Sequence, residues 1–343
     1  MQRIQTLDIA RGFTVLMIAP IHTVMLYSNK DVQQSVLGVV FDAIAEGPGA
    51  QLFMLLMGLG FVFSRATTAI TVFKRALYLL ILAYLLNFLK FIVPLLFGWM
   101  PENLLAEFQL HNNTETIRFF FLLGDILHFA ALAYPFLFIV YRLKHFQYWA
   151  LLFSLAIILT APLFWDLKTG NPLADYFLQL LGGHPPYAFF PMFPWLVYPV
   201  TGLSLGYFLK HSETGIIFKT TGWIGIVLLL ISFCFPVTPS QNEWLPFYRT
   251  APSDTIFHLG FVLAWLALIH LLTLKLALKK VWQLFEFCSR NITSIYVIQW
   301  IIICWLLPFV GYHVAGFNAT LFWIGITTLA TLLIVRLYGS ATL

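Results

Sequence analysis

The sequence predicts an all-α polytopic integral membrane protein, a bundle of about ten transmembrane helices with both termini cytoplasmic. Three observations predict it. Hydrophobic residues make up 60% of the 343 residues and charged residues only 10%, a composition that soluble globular domains do not have. The apolar residues form runs long enough to cross a bilayer. The charged residues lie between those runs with a strong asymmetry of sign.

Ten apolar runs are predicted to span the membrane. No hydrophilic stretch between them is long enough to fold alone, so residues 1–343 are predicted to form one transmembrane domain. Proline or glycine follows several runs, at Pro101, Pro236, Pro239 and Gly311, as expected where helices end. The predicted spans are 8–28, 47–64, 73–98, 117–141, 147–165, 191–209, 221–238, 255–274, 288–309 and 318–336.

The charges between the spans predict the orientation. With a cytoplasmic N-terminus, the inner side receives 14 basic and 3 acidic residues, and the outer side 5 basic and 10 acidic residues. An excess of Lys and Arg marks the cytoplasmic side. The basic inner face either only sets this topology or also binds an anionic ligand, such as the phosphates of a nucleotide-bearing cofactor. The candidate cofactor-binding residues are Arg11, Arg65, Arg75 and Arg290.

Arg11 and His22 lie in the first span with ten residues between them. On an α-helix this spacing brings both side chains to within about 20° of one face, about 16 Å apart along the axis. Ionisable groups inside a bilayer usually line a cavity or a reaction path. His22 is therefore a candidate general base, or a His bonded within the helix bundle. Arg11 either snorkels at the membrane boundary or, held by Asp8, binds a phosphate.

Other polar residues interrupt the apolar spans. Asp125 and His128, three residues apart in the fourth span, predict either a proton relay or a structural pair. Asn87 and Lys90 repeat this spacing in the third span, where Lys90 is expected to extend outwards. Gln299 in the ninth span predicts a hydrogen bond between helices.

The segments assigned to the outer side suggest where a substrate binds. EGPGAQLF predicts that the second span begins with a helix N-terminus at residues 47–49, a site for an anionic or oxyanion-like group. Two outer loops, at about 99–116 and 166–190, are longer than a connection needs. The aromatic run that follows the second loop either stacks on sugar rings or forms an interfacial belt. The candidate substrate-binding residues are Glu46, His128, His184, Trp195 and Gln299.

The remaining motifs exclude several classes of site. Cys234, Cys288 and Cys304 lie in apolar stretches without ligand spacing, which predicts packing residues. The sequence contains no zinc spacing, P-loop or dinucleotide fingerprint. We therefore expect no metal at the site and no nucleic-acid partner.

Several sequence blocks resemble one family. LDIARG, with His22 after the ten-residue gap, is similar to the R-x10-H signature of transmembrane acyltransferases. EGPGAQLFMLLMGLGFVFS, IRFFFLLGDILHFAALAY, PMFPWLVYPVTGLSLGYFL, YRTAPSDTIFHLGF and SRNITSIYVIQW resemble, in order, further blocks of the subgroup that includes heparan-α-glucosaminide N-acetyltransferase and its bacterial relatives. The chain departs from these blocks at His128-Phe129, where the family usually has Gln-Arg, and at Gln299, where it often has His.

The resemblance implies a membrane acyltransferase. It would move an acyl group, expected to be acetyl, from cytoplasmic acetyl-CoA or another acyl-CoA to an amine or hydroxyl of a carbohydrate acceptor on the extracytoplasmic side. His22, Arg11 and Asp125 would be the catalytic residues, with His22 acting as base or acyl carrier. The basic inner face agrees with a polyanionic CoA donor.

Two other functions fit the same composition. A transporter or flippase would also have a polar intramembrane pathway, but it predicts inverted repeats and interrupted helices in matching halves, and we see neither in the sequence. A non-catalytic scaffold would not need buried ionisable groups. We expect the protein in the bilayer of the bacterial inner membrane, with a homodimer as a possible assembly.

Overall fold

The structure, a computed structural model, describes residues 4–64, 68–111, 113–165, 167–182, 188–235 and 247–339. These residues are helical almost throughout and contain no β-strand, which confirms the all-α class. Within them, nine helices are long and apolar enough to cross a membrane, and Ile126–Tyr141 is a shorter apolar helix. The protein is therefore a multi-pass helical membrane protein, as predicted.

The helices follow the predicted order. The first seven are α1 (Gln5–Tyr27), α2 (Val36–Phe63), α3 (Ala69–Leu96), α4 (Glu102–Glu107), α5 (Thr114–Leu122), α6 (Ile126–Tyr141) and α7 (Phe146–Phe164). The others are α8 (Pro172–Gly182), α9 (Met192–His211), α10 (Thr214–Ser232), α11 (Pro252–Lys275), α12 (Lys279–Arg290), α13 (Ile292–Val310) and α14 (Phe317–Gly339). A single turn, Lys30–Gln33, follows α1.

The fourth span differs from the prediction. We expected one continuous helix over 117–141, but the chain leaves the helix after Leu122 and begins α6 at Ile126. Asp125 is the N-cap of α6, and its Oδ1 accepts a hydrogen bond from the Ile126 N–H at 2.7 Å. The apolar run continues through this break, so hydropathy alone did not indicate it.

The second span also differs. The prediction placed a helix N-terminus at residues 47–49, and this is wrong, because the chain is helical from Val36 through Phe63. Residues 45–49 form a π-helical turn that contains Pro48 and joins two α-helical parts. Proline lacks an N–H group, and a wider turn accommodates the missing hydrogen bond.

Three segments predicted as loops contain helices. The predicted inner segment 275–287 contains most of α12, whose polar and apolar residues alternate at helical spacing. The two long outer segments contain α4 and α8. These elements are too polar or too short to be found as membrane spans.

The described helices form two compact units rather than one. Unit 1 is drawn from Met1–Gly49, Tyr84–Leu122 and Thr273–Leu343, and unit 2 from Ala50–Ala83 and Leu123–Leu272. The prediction of a single domain stays a prediction.

In unit 1, α1 packs against α12, α13 and α14. The Tyr27 hydroxyl donates to the Ile303 carbonyl on α13 at 2.8 Å. On α14, the Thr327 hydroxyl oxygen lies 2.8 Å from the Thr23 hydroxyl oxygen. Val335 of α14 packs with Val15 of α1 in a buried apolar cluster. Because α14 therefore runs antiparallel to α1, both described chain ends lie at the same end of unit 1.

In unit 2, α2 and α9 pack with their backbones in contact. Gly58 on α2 faces the Pro199 carbonyl, and Gly202 on α9 faces the Leu55 carbonyl. A Cβ at either glycine would overlap the opposite backbone. Close approach at small residues is the usual way in which membrane helices associate.

Candidate active site

The centre of unit 1 is α1, which carries both Arg11 and His22. The helix is continuous from Gln5 to Tyr27, so the two residues keep the helical register that the sequence predicted. Arg11 and His22 are both partly exposed. Many of their neighbours on α1 are buried. His22 lies about one and a half turns before the end of α1, and Arg11 lies a little under two turns after its start.

Gln299 orients His22. Its Oε1 lies 3.1 Å from Nδ1 of His22, and its Nε2 donates to the Tyr296 carbonyl at 3.1 Å. Because the amide NH₂ group is used on a carbonyl, the amide oxygen is the atom that faces the imidazole. An amide oxygen only accepts, so the hydrogen bond needs a proton on Nδ1 of His22, and in the neutral ring the lone pair is then on Nε2. Gln299 is fully buried, which fixes this arrangement.

Trp300, the next residue on α13, stacks on the His22 ring. The ring centroids are 4.0 Å apart and the planes are inclined by 27°. The ammonium of Lys90 lies 4.5 Å from the centre of the Trp300 ring. His22, Gln299, Trp300 and Lys90 thus form one cluster in unit 1, which we call the His22 cluster.

Lys90 lies inside the protein. The expectation that it extends outwards is wrong, since it is only 1% exposed. It belongs to a π-helical turn over Phe88–Ile92 of α3. Asn87, at the start of this turn, donates to the Phe121 carbonyl at 3.1 Å. π-Helical turns are frequent at functional sites, and this one positions a lysine that hydropathy placed at the boundary.

The π-helical turn of α2 contacts α1 between Arg11 and His22. The Thr14 hydroxyl lies within hydrogen-bonding distance of the Pro48 carbonyl, at 3.1 Å, and of the Ala10 carbonyl, at 3.2 Å. Glu46, a predicted substrate-binding residue, belongs to the same turn and is exposed.

The N-terminal end of α1 packs closely on α12. Gly12 faces the Phe285 carbonyl so closely that a Cβ would overlap it. This approach lets the Ser289 hydroxyl donate to Asp8 at 3.0 Å. Arg290, exposed on the next position of α12, is thereby brought to the end of α1 that carries Arg11.

A groove of about 370 Å³ opens at this same end of unit 1. Gln5 and Glu286, joined by a hydrogen bond of 3.0 Å, form part of its lining. Lys279 and Trp282 of α12 also line it. The groove therefore combines an exposed ammonium, a carboxylate and an aromatic ring.

In unit 2, Asp125 and His128 form a capping box at the start of α6. The Asp125 backbone N–H donates to Nδ1 of His128 at 3.1 Å. Both side chains are buried. The structural pairing that the sequence left open is thus present, and the catalytic role of Asp125 and the substrate-binding role of His128 stay predictions.

The other candidates belong to unit 2 or lie outside the described residues. Arg75, in unit 2, is exposed and lies 4.8 Å from the Tyr134 ring. Trp195, also in unit 2, is only 1% exposed and donates from its indole to the Tyr248 carbonyl at 2.9 Å. A ring enclosed in this way packs the core in this conformation, and sugar stacking by Trp195 stays a prediction. Arg65 and His184 lie outside the described residues.

The sequence predicted the hydrogen bond of Gln299 to another helix, but it did not predict that Trp300 and Lys90 lie in the same cluster. Trp300 was not singled out, although it directly follows Gln299. Lys90 was noted only as a boundary residue. The one available signal was a lysine three residues after an asparagine within an apolar run, because such polar pairs are expensive in a membrane unless they are used.

The described part of the chain contains no group of three or more His, Cys, Asp or Glu side chains that could hold a metal ion. The His22 cluster contains an imidazole and an ammonium group, both next to the Trp300 ring.

A family model described as heparan-alpha-glucosaminide N-acetyltransferase, catalytic, matches residues 3–234. The chain belongs to this family. It is therefore a transmembrane acetyltransferase-family protein, which confirms the resemblance. No curated protein matches the chain.

The matched region contains Arg11 and His22 but ends before α13. Gln299 and Trp300 therefore lie beyond it, as do the blocks YRTAPSDTIFHLGF and SRNITSIYVIQW. The family assignment thus covers the helix that carries the candidate base, while the geometry of unit 1 adds the residues that contact it.

Proposed function

We propose that the protein transfers an acyl group, normally acetyl, from cytoplasmic acyl-CoA to a carbohydrate acceptor on the extracytoplasmic side. The hydrogen bond between His22 and Gln299 carries this proposal. It holds the imidazole with a lone pair on Nε2, on the helix that also carries Arg11, in a chain of a transmembrane acetyltransferase family.

His22 acts as the general base. Its Nε2 takes the proton from the acceptor amine or hydroxyl as that atom attacks the thioester carbonyl carbon. Gln299 holds the ring through Nδ1–H and accepts a stronger hydrogen bond once the ring is an imidazolium. When the C–S bond breaks, its electron pair leaves on the CoA thiolate, which takes the proton from His22. The base is then restored.

The donor is proposed to bind at the N-terminal end of α1. CoA carries several phosphate charges, and Arg11, Arg290 and Lys279 supply cationic groups at this end of unit 1. Arginine suits phosphate because its planar fork forms paired hydrogen bonds. Trp282 offers an aromatic surface in the same groove for the adenine ring. Arg65 and Arg75 remain predicted donor contacts.

The acceptor is proposed to reach His22 from the other end of α1. His22 lies about one and a half turns from that end, and this distance suits a sugar that presents one reactive group. Glu46 is exposed on the π-helical turn beside α1 and is proposed to bind a hydroxyl or an ammonium of the acceptor. His128, His184, Trp195 and Gln299 are the further proposed acceptor contacts, and Asp125 a proposed proton carrier.

We propose that the protein lies in the inner membrane of a bacterium. This membrane has acetyl-CoA on its cytoplasmic side and surface glycans on its other side. A homodimer is the proposed assembly.

A transporter or flippase is the second candidate. The break between α5 and α6 and the π-helical turns in α2 and α3 favour it, since transporters commonly use interrupted helices at their substrate sites. It predicts movement of a substrate without release of CoA.

Purified protein in lipid nanodiscs, given acetyl-CoA with a labelled acetyl group, tests the proposal. Glucosamine and glucose are the probes, because only the first has an amine. We expect CoA release together with labelled sugar, and a loss of about 10²–10⁴-fold in His22→Ala. His211→Ala, at an exposed position on α9, is the control. If His22→Ala retains more than half of the activity, His22 is not the general base. If unaltered protein releases no CoA, the transporter is the better assignment.

A further inference from the structure

Lys90 is a charged residue in the interior of unit 1 that proton transfer by His22 does not use. It is 1% exposed, and its ammonium lies 4.5 Å from the Trp300 ring and 4.8 Å from the Phe91 ring. A lysine inside a membrane-spanning segment is costly and usually marks a functional site. Aromatic faces attract a cation but replace water only in part.

Trp300 carries a hydrogen-bond donor that the proposed proton transfer does not use either. Its side chain is 8% exposed, and its ring stacks on His22 with 4.0 Å between the ring centroids. That Nε1–H is buried and has no hydrogen-bond partner among the described residues. Buried donors are nearly always satisfied, and an exception calls for an explanation. One explanation is a partner that arrives with the substrate.

Acyl transfer requires such a donor beside the base. When the acceptor attacks, the π electron pair of the carbonyl moves onto oxygen, and enzymes stabilise that negative charge with preorganised hydrogen-bond donors and positive charge. His22 supplies the base but cannot also supply this donor, because its Nδ1–H is held by Gln299.

We propose that Trp300 and Lys90 stabilise the oxyanion that forms during acyl transfer, a proposal that rests on the proposed function. The Trp300 indole N–H donates to the carbonyl oxygen of the thioester as its negative charge develops. Lys90 acts through the Trp300 ring and is a positioning residue: its positive charge polarises the indole and favours a negative charge beside it. Collapse of the intermediate restores the C=O bond and releases the CoA thiolate, which takes the proton from His22.

The simplest competing account is packing, in which Lys90 and Trp300 only fill the space between α3, α13 and α1. Packing and oxyanion stabilisation differ in what they change. Loss of packing lowers thermal stability or weakens substrate binding. Loss of an interaction made only in the transition state lowers kcat and leaves KM unchanged.

Steady-state kinetics of acetyl transfer in nanodiscs separate the two accounts. In Trp300→Phe the ring remains for stacking and only the N–H is lost, so we expect kcat to fall about 10²-fold. The KM values for acetyl-CoA and for the sugar should change by less than about threefold. Trp323→Phe is the matched control: Trp323 lies on α14 in the same unit, edge-on to Tyr27, and its replacement should leave kcat unchanged.

Lys90 is tested by charge. Lys90→Met keeps the length of the side chain and removes the charge, and we expect kcat to fall about 10-fold with unchanged KM values, while Lys90→Arg restores most of the rate. The double variant Lys90→Met/Trp300→Phe should be little slower than Trp300→Phe alone, because both changes act on one oxyanion. A thermal unfolding curve of each variant shows that the comparison uses folded protein.

The results overturn the proposal in three ways. The first is a Trp300→Phe variant that retains more than half of the kcat, the second is equally slow Lys90→Met and Lys90→Arg variants, and the third is a rise in KM alone. Each outcome assigns the pair to packing or to substrate binding while unaltered protein still transfers acetyl groups. If unaltered protein transfers none, the proposed function fails first and this proposal fails with it.

Discussion

Gln299 determines which nitrogen of His22 carries the proton. Its Oε1 lies 3.1 Å from His22 Nδ1, and its Nε2 is used on the Tyr296 carbonyl, so the amide cannot reverse without losing that bond. The family blocks that resemble this segment often end in His at this position. Here a glutamine accepts the hydrogen bond from His22 Nδ1, for which an amide oxygen held in one orientation is sufficient.

The first prediction concerns Gln299→Leu, which keeps the approximate volume and removes the acceptor. We expect kcat for acetyl transfer to fall about 10–10²-fold, because the imidazole loses the partner that fixes its tautomer and stabilises its protonated form. Gln299→Glu should retain more activity than Gln299→Leu, since a carboxylate also accepts from Nδ1. Kinetics with folded, monodisperse protein provide the measurement, and equal rates for Gln299→Leu and unaltered protein would contradict the assignment.

The second prediction concerns the contact between α1 and α12. Gly12→Ala places a methyl group against the Phe285 carbonyl, so the helices must separate. We expect a loss of about 1–3 kcal/mol in stability, the usual cost of overpacking, seen as a lower Tm in detergent. Gly325→Ala on α14 is the control, because no atom lies within 4 Å of the added carbon, and it should keep or slightly raise the Tm. Equal Tm values for the two variants would show that α12 is not held as the structure has it.

The sequence predicted the spacing of Arg11 and His22 because one continuous apolar helix carries both, and helix geometry then determines their faces. It could not predict the surroundings of His22, because Lys90 and Trp300 come from distant segments that only tertiary packing brings together. A hydropathy pattern describes how apolar a segment is and not which of its residues faces a neighbour.

The break at Asp125 was missed for a different reason. The residues around it are apolar on both sides, and a window of membrane-spanning length averages over a three-residue interruption. The local signal was present, since Asp followed three residues later by a side chain that can accept a hydrogen bond is an N-terminal capping pattern. This capping pattern predicts that a helix begins at Ile126 and so divides the apolar run into two helices.

The third prediction separates the cap from a chemical role for Asp125. Asp125→Ala removes the acceptor of the Ile126 N–H, and we expect a cost of about 1–2 kcal/mol and a lower Tm. Asp125→Asn keeps an amide oxygen at the cap and should keep the Tm of the unaltered protein. Acetyl transfer by folded Asp125→Asn is then decisive: a loss of 10-fold or more assigns the carboxylate to proton transfer, as the sequence suggested. A low Tm in Asp125→Asn would instead contradict the cap as the stabilising interaction.

The fourth prediction uses the native cysteines to test sidedness. The charge asymmetry predicts that the segment after α10 faces the outer side, and Cys234, two residues beyond α10, is exposed. Cys288 is buried on α12, and burial raises the pKa of its thiol to about 12. Since the thiolate is the form that reacts with maleimides, Cys288 should stay unmodified at neutral pH, and Cys304, also buried, should be shielded by α13 and its neighbours.

A membrane-impermeant maleimide applied to intact cells should therefore label the protein once, at Cys234, and Cys234→Ser should abolish the labelling. Lys144→Cys in the Cys234→Ser background provides the opposite control, because the exposed loop between α6 and α7 belongs to the basic face and should react only after the cells are permeabilised. Acyl-CoA carries several negative charges and is supplied from the cytoplasm, so the basic face must be the inner one for transfer across the membrane to work. Labelling of Cys234 only after permeabilisation would reverse the topology and place the arginines of the proposed donor site on the side without CoA. Cross-membrane transfer would then fail even if the His22 cluster proved to be catalytic.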